Sequence, residues 1–299
     1  MEQRGGFLTW LELTQFELEG QRLPLINQRG IHNPGYLDHT LSITSAVDGP
    51  YEDKIGPGGL LHYEFEAGDP LGGANRKLRQ AMVHQVPFIL FERPIANVYV
   101  PIFQAYAIDD DLEAGYFRIA AGDELRTATF AGERALEKSY AQRLVMQRVH
   151  QPVFRARVIT AYQATCAICR LKHRELLDAA HIIPDSEPGS SAEVTNGMAL
   201  CKIHHAAYDR NLLGIDSNYQ VHLKEKLLFE TDGPMLKHGL QDMHGVTLSL
   251  PRSKTQFPNP DALGQRFETF LTQQGASKKS RPEFNKQSDV PWCFEGSNI

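Results

Sequence analysis

The chain has 299 residues, of which 41% are hydrophobic, and this size and composition suit two globular domains. Its formal net charge of −5 excludes a protein that holds polyanions through overall charge, so a nucleic-acid partner must meet a local basic surface. No apolar run approaches the length of a membrane span, and the opening MEQRGGFLTW lacks a charged-then-apolar signal pattern. We therefore expect a soluble protein with no membrane partner. Because Cys293 has no obvious partner, we also expect no disulfide framework, which fits a reducing cytoplasm.

The pattern of residues 1–122 predicts a β-rich domain within an α+β protein. Short apolar or alternating runs recur between turn signals such as NPG, GPGG and GDPLGG, and each run predicts a strand. These runs are Leu23–Ile26, Leu41–Thr44, Leu60–Phe65, Val86–Phe91, Val98–Tyr106 and Tyr116–Ala120. The segment Asn75–His84 predicts the clearest helix here, because its apolar residues recur at helical spacing. Several strands with one or two helices indicate a small barrel.

Residues 123–150 predict a helical linker, with a helix over Gly132–Gln147. A second helix follows and starts with a proline, which suits a first helical turn. Arg155 and Arg157 fall off its apolar stripe, so they are candidates for phosphate contacts that position DNA without reading its sequence. They belong to a run of eight Lys or Arg, without Asp or Glu, between Lys138 and Arg174, as a phosphate backbone would require.

Three of the four cysteines lie between residues 166 and 211, where they form two short motifs. Cys166 and Cys169 make a C-x-x-C pair, and Cys201 with His204 makes C-x-x-H. Three thiolates and one imidazole in two such knuckles suit a tetrahedral zinc ion. We therefore predict one structural zinc per chain.

A second set of polar residues, His181, Asn196 and His205, lies inside these zinc brackets. His181 sits in LLDAAHIIP, an apolar run that predicts a strand ending at a proline, and His205 directly follows His204. Hydrolysis of a phosphodiester needs an activated water and stabilisation of the charge on the phosphate, and histidine is a suitable base near neutral pH. In order and spacing, residues 150–215 resemble the HNH nucleases, whose ββα-metal fold wraps two strands and a helix round one catalytic cation.

The resemblance implies a role for each residue of this set. His181 would be the general base, Asn196 would orient it or support its loop, and His205 would be a ligand of a catalytic Mg²⁺ or Mn²⁺. A nearby amide can hold an imidazole in one orientation and tautomer, and a divalent cation can neutralise the scissile phosphate and the leaving 3′-oxygen.

The ligand set departs from the family pattern at Ala180. Many HNH nucleases place a metal-binding His or Asp immediately before the base, and alanine cannot bind a metal. Asp209 is the first candidate for the missing ligand, because it follows His205 by four residues and shares its face on a helix. Asp178, three residues before the expected base, is the second.

The segment after the motif completes a nuclease domain over residues 151–275. LLGID and NYQVHLKEKLLFE predict a strand pair joined by a turn at residues 216–218. Asn259–Gln274 predicts a C-terminal helix, and residues 276–299 form a polar tail.

The N-terminal domain resembles the SRA and PUA-like barrels. The resemblance rests on GQRLPLINQRGI, SAVDGPYEDK and GLLHYEFEAGDP, and on the fusion of SRA-like domains to McrA-like HNH domains. SRA domains flip a modified cytosine into a pocket, which needs aromatic faces and a carboxylate or amide for the base edge. The candidates are Tyr51 and Tyr63 for stacking, Asp48 and Asp53 for the amino group, and Tyr36 and His39 as alternative lining residues. Tyr63 also fits a core role, and Asp48 also fits a turn.

Together these patterns predict an HNH endonuclease that hydrolyses double-stranded DNA near 5-methylcytosine or 5-hydroxymethylcytosine. It would be a modification-dependent restriction enzyme of a prokaryotic cytoplasm. One HNH site usually cuts one strand, so a double-strand break would indicate a homodimer. Three alternatives stay open: a nuclease directed by phosphorothioate DNA, a zinc-containing DNA-binding protein without catalysis, and a repair nuclease indifferent to modification.

Overall fold

A computed structural model describes residues 6–46, 54–56, 59–130 and 149–276. Within these ranges the chain is a mixed α+β protein with one seven-stranded sheet and three two-stranded sheets. None of the helices there is both long and apolar enough to cross a bilayer.

The elements fall into an N-terminal and a C-terminal group. The N-terminal elements are α1 (Trp10–Thr14), β1 (Glu17–Leu18), β2 (Gln21–Arg22), β3 (Ile31–His32), β4 (Ser42–Ala46), β5 (Lys54–Ile55), β6 (Leu61–Glu64), α2 (Gly73–Val83), β7 (Phe88–Ile95), β8 (Val98–Asp111), β9 (Tyr116–Ala121) and α3 (Asp123–Phe130). The C-terminal elements are α4 (Gln151–Ala161), β10 (Leu177–His181), β11 (Gly197–Cys201), α5 (Lys202–Asp209), β12 (Leu213–Ile215), β13 (Val221–Leu223), α6 (Glu225–Phe229), α7 (Pro234–Gly239) and α8 (Pro260–Ala276).

The large sheet has the strand order β3-β4-β7-β8-β9-β6-β5 and curls on itself. Only β4 and β7 are parallel neighbours within it. The Tyr63 hydroxyl on β6 donates to the Thr44 carbonyl on β4 at 3.4 Å, although three strands separate β6 from β4 in the sheet. In the described residues no pairing joins the edge strands β3 and β5, so the closed SRA/PUA-like barrel stays a prediction.

Alternating strand residues build the N-terminal core. Ile43, Leu90 and Phe117 point from three strands into one buried cluster, which Leu78 of α2 covers. The burial of these side chains supplies the main driving force for the curl of the sheet against α2. The predicted helix over Asn75–His84 is confirmed as α2.

The C-terminal core includes side chains from the N-terminal group. Phe7, Val98 and Val100 belong to the same buried cluster as Phe154 of α4 and Leu200 of β11. Tyr99, between the two valines, belongs instead to a small cluster under α1. Because strand residues alternate between faces, β8 contacts the C-terminal core with one face and α1 with the other.

Two predicted strands are wrong. Leu23–Ile26 is an extended loop against α1, with the Leu25 amide donating to the Leu13 carbonyl at 2.9 Å. Ile26 is buried there and Leu23 and Leu25 are half-buried, without sheet pairing. The segment after β13 forms α6 instead of continuing as a strand. The predicted strand pair is otherwise confirmed as β12 and β13, and the C-terminal helix as α8. The predicted linker helix over residues 132–147 lies outside the described residues.

Candidate functional site

The four predicted zinc ligands converge at one point. Cys166 and Cys169 lie in the turn after α4, Cys201 ends β11, and His204 lies in the first turn of α5. Their ligand atoms all lie within 4.8 Å of one another. This is the only such group of His, Cys, Asp or Glu side chains in the part of the chain that the structure describes.

The distances within this Cys3His cluster fit a tetrahedral zinc ion. His204 Nδ1 lies 3.1 Å from Cys201 Sγ and 3.5 Å from Cys166 Sγ, and the sulfurs of Cys169 and Cys201 are 4.0 Å apart. Zinc–ligand bonds of usual length give tetrahedral edges of about 3.5–3.8 Å. Hydrogen bonds with Cys169 and Cys201 hold the pKa of the Cys166 thiol well below its ordinary value, which favours the thiolate that binds zinc.

The backbone orients the imidazole of this cluster. His204 Nε2 lies 2.8 Å from the Gly239 carbonyl oxygen, which accepts its proton. Nδ1 faces the three sulfurs and is the ring nitrogen that would bind a zinc ion. Such a hydrogen bond orients a metal-binding histidine, so the Gly239 carbonyl also fits a zinc site at this cluster.

A β-hairpin carries the zinc cluster at one end and His181 at the other. β10 and β11 are antiparallel, with Leu177 opposite Cys201 and His181 opposite Gly197. Four residue steps along a strand separate these ends by about 13 Å. α5 follows β11 directly, so the hairpin and helix form a ββα unit with a cleft beside it.

The structure brings His181, His205, Asp178 and Asp209 together in this cleft. Phe154, Arg155, Pro184, Asp185 and Arg266 also line it. Adjacent residues of a helix project about 100° apart, which is why His204 faces the zinc cluster while His205 faces the cleft.

His181 is half-buried and stacks on Phe154. The ring centroids are 3.9 Å apart and the planes are inclined by 15°. Within the described ranges no side chain hydrogen-bonds to the imidazole of His181. Burial lowers the pKa of His181, against an opposing effect of Asp185, so the ring is neutral near pH 7 and can accept a proton.

His205 lies between the two predicted carboxylates. Its Nε2 is 3.3 Å from Asp209 Oδ2, and its Nδ1 is 3.6 Å from Asp178 Oδ2. Lys202 also reaches Asp178, at 2.6 Å. His205 and Lys202 hold the pKa of the Asp178 carboxyl well below its usual range, so this group is a carboxylate. Each ring nitrogen of His205 thus has its own acidic neighbour.

Asn196 is placed away from His181 and supports the following loop. Its side chain accepts from the Ile183 amide at 2.9 Å and donates to the carbonyls of Ile183 and Ser191 at 3.1 and 3.0 Å. A fourth contact joins it to the Ser190 hydroxyl at 3.3 Å. Of the two roles that the sequence left open, the contacts favour loop support. Ala180, the residue before His181, is fully buried, and its methyl side chain offers no ligand atom.

The two predicted DNA-contacting arginines of α4 lie on different sides. Arg155 lines the cleft but donates to the Leu177 carbonyl at 2.6 Å and approaches Asp178 at 3.5 Å, so it braces β10. Arg157 lines a separate groove together with Arg252. The cleft instead presents Arg266 of α8, a cation that the sequence pattern did not single out.

The N-terminal group contains a cavity of about 380 Å³. Tyr63 lines it, as do the aromatic residues Trp10, Phe65 and Tyr99 and the charged residues Arg29, Glu64, Glu66 and Arg93. Thr44 Oγ1 and Glu66 Oε2 are buried at this cavity without a hydrogen-bond partner in the described residues. Buried polar atoms without hydrogen-bond partners are rare in proteins.

Of the other predicted pocket residues, Tyr36 and His39 are not among those that line this cavity. Tyr36 is 69% exposed, and His39 lies edge-on to His84. Tyr51, Asp48 and Asp53 lie outside the described residues. Trp10, Tyr99 and Glu66 were not identified from the sequence as cavity residues, because three of the candidates came from the turn-rich segment 48–53. No local sequence pattern marks residues that meet across a sheet.

The geometry first defines a class of protein. A hairpin and helix that present two histidines and two carboxylates beside a Cys3His cluster are the arrangement of ββα-metal nucleases. The family model described as HNH endonuclease matches residues 166–216. The chain therefore contains an HNH endonuclease domain and is a nuclease.

Two solved structures are similar to the chain. One is titled "Modification dependent TagI restriction endonuclease", with 13% identity, a TM-score of 0.34 and coverage of 81% of this chain and 85% of that chain. The other is the "Type IV phosphorothioation-dependent restriction endonuclease ScoMcrA", with 15% identity, a TM-score of 0.22 and coverage of 56% and 45%. No curated protein sequence matches the chain.

Proposed function

We propose that the protein is a modification-dependent DNA endonuclease that cuts with its HNH domain and reads modified cytosine with its N-terminal domain. The observation that carries the nuclease part is the meeting of His181, His205, Asp178 and Asp209 in one cleft. The enzyme would act on incoming DNA in the cytoplasm of a prokaryotic cell.

His181 is the general base in this proposal. Its neutral imidazole takes a proton from water, the water oxygen attacks phosphorus, and the bond to the leaving 3′-oxygen breaks. Burial lowers the pKa of His181 and so keeps the ring unprotonated at neutral pH. Arg266 lies in the same cleft, where its guanidinium favours the phosphate.

The residues beside His205 suit a hard divalent cation. A bound Mg²⁺ or Mn²⁺ would neutralise charge on the phosphate and on the leaving oxygen. His205 Nε2 and Asp209 would hold it, because they already lie side by side. Asp178, whose Oδ2 lies 3.6 Å from His205 Nδ1, would favour the proton on Nδ1 and so leave Nε2 as the ligand atom. Cys166, Cys169, Cys201 and His204 would hold a structural Zn²⁺.

The N-terminal cavity supports the reading of a base. The rings of Trp10, Tyr63 and Tyr99 line the cavity and would stack on a base there, and Glu66 Oε2 would accept a hydrogen bond from the amino group of cytosine. Glu66 Oε2 is a hydrogen-bond acceptor without a partner in the described residues. It therefore suits a ligand that donates hydrogen bonds better than it suits an anionic phosphorothioate backbone. Tyr51, Asp48 and Asp53 stay proposed as further contacts to the base.

A cleavage assay tests both halves of the proposal. One plasmid is prepared in unmodified, 5-methylcytosine, 5-hydroxymethylcytosine and phosphorothioate forms and incubated with Mg²⁺ or Mn²⁺. Cutting of a cytosine-modified form alone, lost in His181→Ala and weakened in Glu66→Ala, is the expected result.

Other outcomes assign other functions. Selective cutting of the phosphorothioate form would show that the protein recognises phosphorothioate DNA instead of modified cytosine. Equal cutting of all forms would show that the cavity does not select modified DNA. Binding of DNA without cutting by the wild-type chain would make it a zinc-containing DNA-binding protein. Linear product formed without a nicked intermediate would indicate a homodimer.

A further inference from the structure

The contacts around His181, the proposed general base, show what holds its ring in place. Asn196 is committed to Ile183, Ser190 and Ser191 and does not reach the ring of His181. In the described parts of the chain, no hydrogen bond fixes that ring either. The contact that defines its plane is the stack on Phe154.

We propose that Phe154 is a positioning residue for hydrolysis: its phenyl face holds the imidazole plane of His181 while leaving both ring nitrogens free. This inference rests on the proposed role of His181 as base. A hydrogen-bonded partner would occupy one nitrogen, whereas a stacked ring restricts the side-chain torsions and occupies neither. Offset-stacked aromatic pairs are a favoured arrangement, and at 3.9 Å and 15° these two rings are in close contact.

Phe154 is itself rigidly placed. It is 2% exposed, and it lies on α4, which packs against both strands of the hairpin. A base held by a buried side chain on a regular helix has a fixed direction of approach to the phosphate. Misplacement of a reacting group by about 1 Å can cost about 100-fold in rate.

Gly197 provides the room for this arrangement. It is the strand partner of His181, and a Cβ on it would lie 2.7 Å from Phe154 Cζ and 2.5 Å from Val158 Cγ2. Any side chain at residue 197 would push α4 away from the hairpin. The glycine after Asn196 is thus explained by the close approach of Phe154 to β11 at the residue that pairs with His181.

The test compares two leucine substitutions with the same burial. Phe154→Leu removes the flat ring beside the base, and Phe270→Leu removes an equally buried ring, also 2% exposed, from α8. We expect Phe154→Leu to lower kcat by about 10- to 100-fold with unchanged KM for DNA and unchanged zinc content. Phe270→Leu should lose stability and keep the wild-type kcat.

The pH profile separates positioning from a general loss of structure. Burial lowers the pKa of His181, so removal of the ring above it should move the acidic limb of kcat to higher pH. Phe270→Leu should leave that limb in place. If both variants match the wild type in kcat and pH profile while His181→Ala is inactive, the positioning role is overturned and the proposed base stands. An active His181→Ala would overturn the proposed base instead.

A measurement on the wild-type chain covers the case in which Phe154→Leu does not fold. In protein labelled with ¹³C-histidine, the ring protons of His181, assigned through His181→Ala, should be shifted upfield by the ring current of Phe154. Phe154→Met then serves as the kinetic variant. Ring shifts typical of an unstacked histidine would contradict the proposal without any variant.

Discussion

At the scale of single residues, the neighbouring histidines His204 and His205 differ in the groups that surround their ring nitrogens. His204 Nε2 is bound to a carbonyl and its Nδ1 faces three sulfurs, whereas His205 lies between two carboxylates. Their positions could be predicted from spacing along the chain. The stack of Phe154 on His181 could not, because the two residues approach only after α4 packs on the hairpin. The same holds for Glu66 at the N-terminal cavity.

The acidic neighbour of His181 provides a prediction at this scale. Burial lowers the pKa of His181 and Asp185 opposes this effect, so Asp185→Asn should lower that pKa further. Because the proposed base would act unprotonated, activity should be lost as pH falls through its pKa, and the acidic limb of kcat/KM should move to lower pH in this variant. Asp185 is exposed, so the shift should be small and should shrink at high salt.

The measurement is the rate profile from about pH 4 to 8, a range that spans the ordinary histidine pKa, at saturating metal. Asp38→Asn, which makes the same charge change at an exposed position of the N-terminal group, is the control and should leave the profile unchanged. A shift of the limb to higher pH in Asp185→Asn would contradict the assigned sign.

At the scale of elements, the Cys3His cluster brings together the turn after α4, the hairpin and α5. Elements with a clear period were predictable: α2, α8 and the long strands of the sheet all lie where their apolar residues recur. Leu23–Ile26 and the segment of α6 were mispredicted because short apolar runs fit either state, and packing on neighbours decided them.

Loss of one zinc ligand should therefore loosen the ββα unit. Cys169→Ser should lower the zinc content below one per chain and the free energy of unfolding by several kcal/mol. At about 2–4 °C per kcal/mol, Tm should fall by about 10 °C or more. Cys293→Ser is the matched control, because it changes the one cysteine outside the two knuckles and should leave zinc and Tm unaltered. Equal Tm values for the two variants would argue against a structural metal.

At the scale of the whole molecule, the N-terminal segment joins the cavity to the nuclease. Leu8 and Tyr99 exchange two backbone hydrogen bonds of 2.8 Å, and Tyr99 lines the cavity. Phe7 lies in the nuclease core, where the guanidinium of Arg174 covers its ring at 3.3 Å. Val98 and Val100 enter that core from the other face of β8. A ligand that moves Tyr99 would thus act on residues packed against α4 and the catalytic hairpin.

Phe7→Ala should therefore uncouple reading from cutting. The substitution removes a buried ring and costs about 3–5 kcal/mol, as should Phe88→Ala, the control, whose ring is buried in the N-terminal core alone. We expect Phe7→Ala to reduce the ratio of the cutting rate on modified plasmid to that on unmodified plasmid. The reason is that the segment paired with Tyr99 would no longer pack on the nuclease core. Phe88→Ala should keep that ratio at a similar loss of Tm. If the ratio is unchanged in Phe7→Ala, the two halves read and cut independently, and the contact of Phe7 with Arg174 serves stability alone.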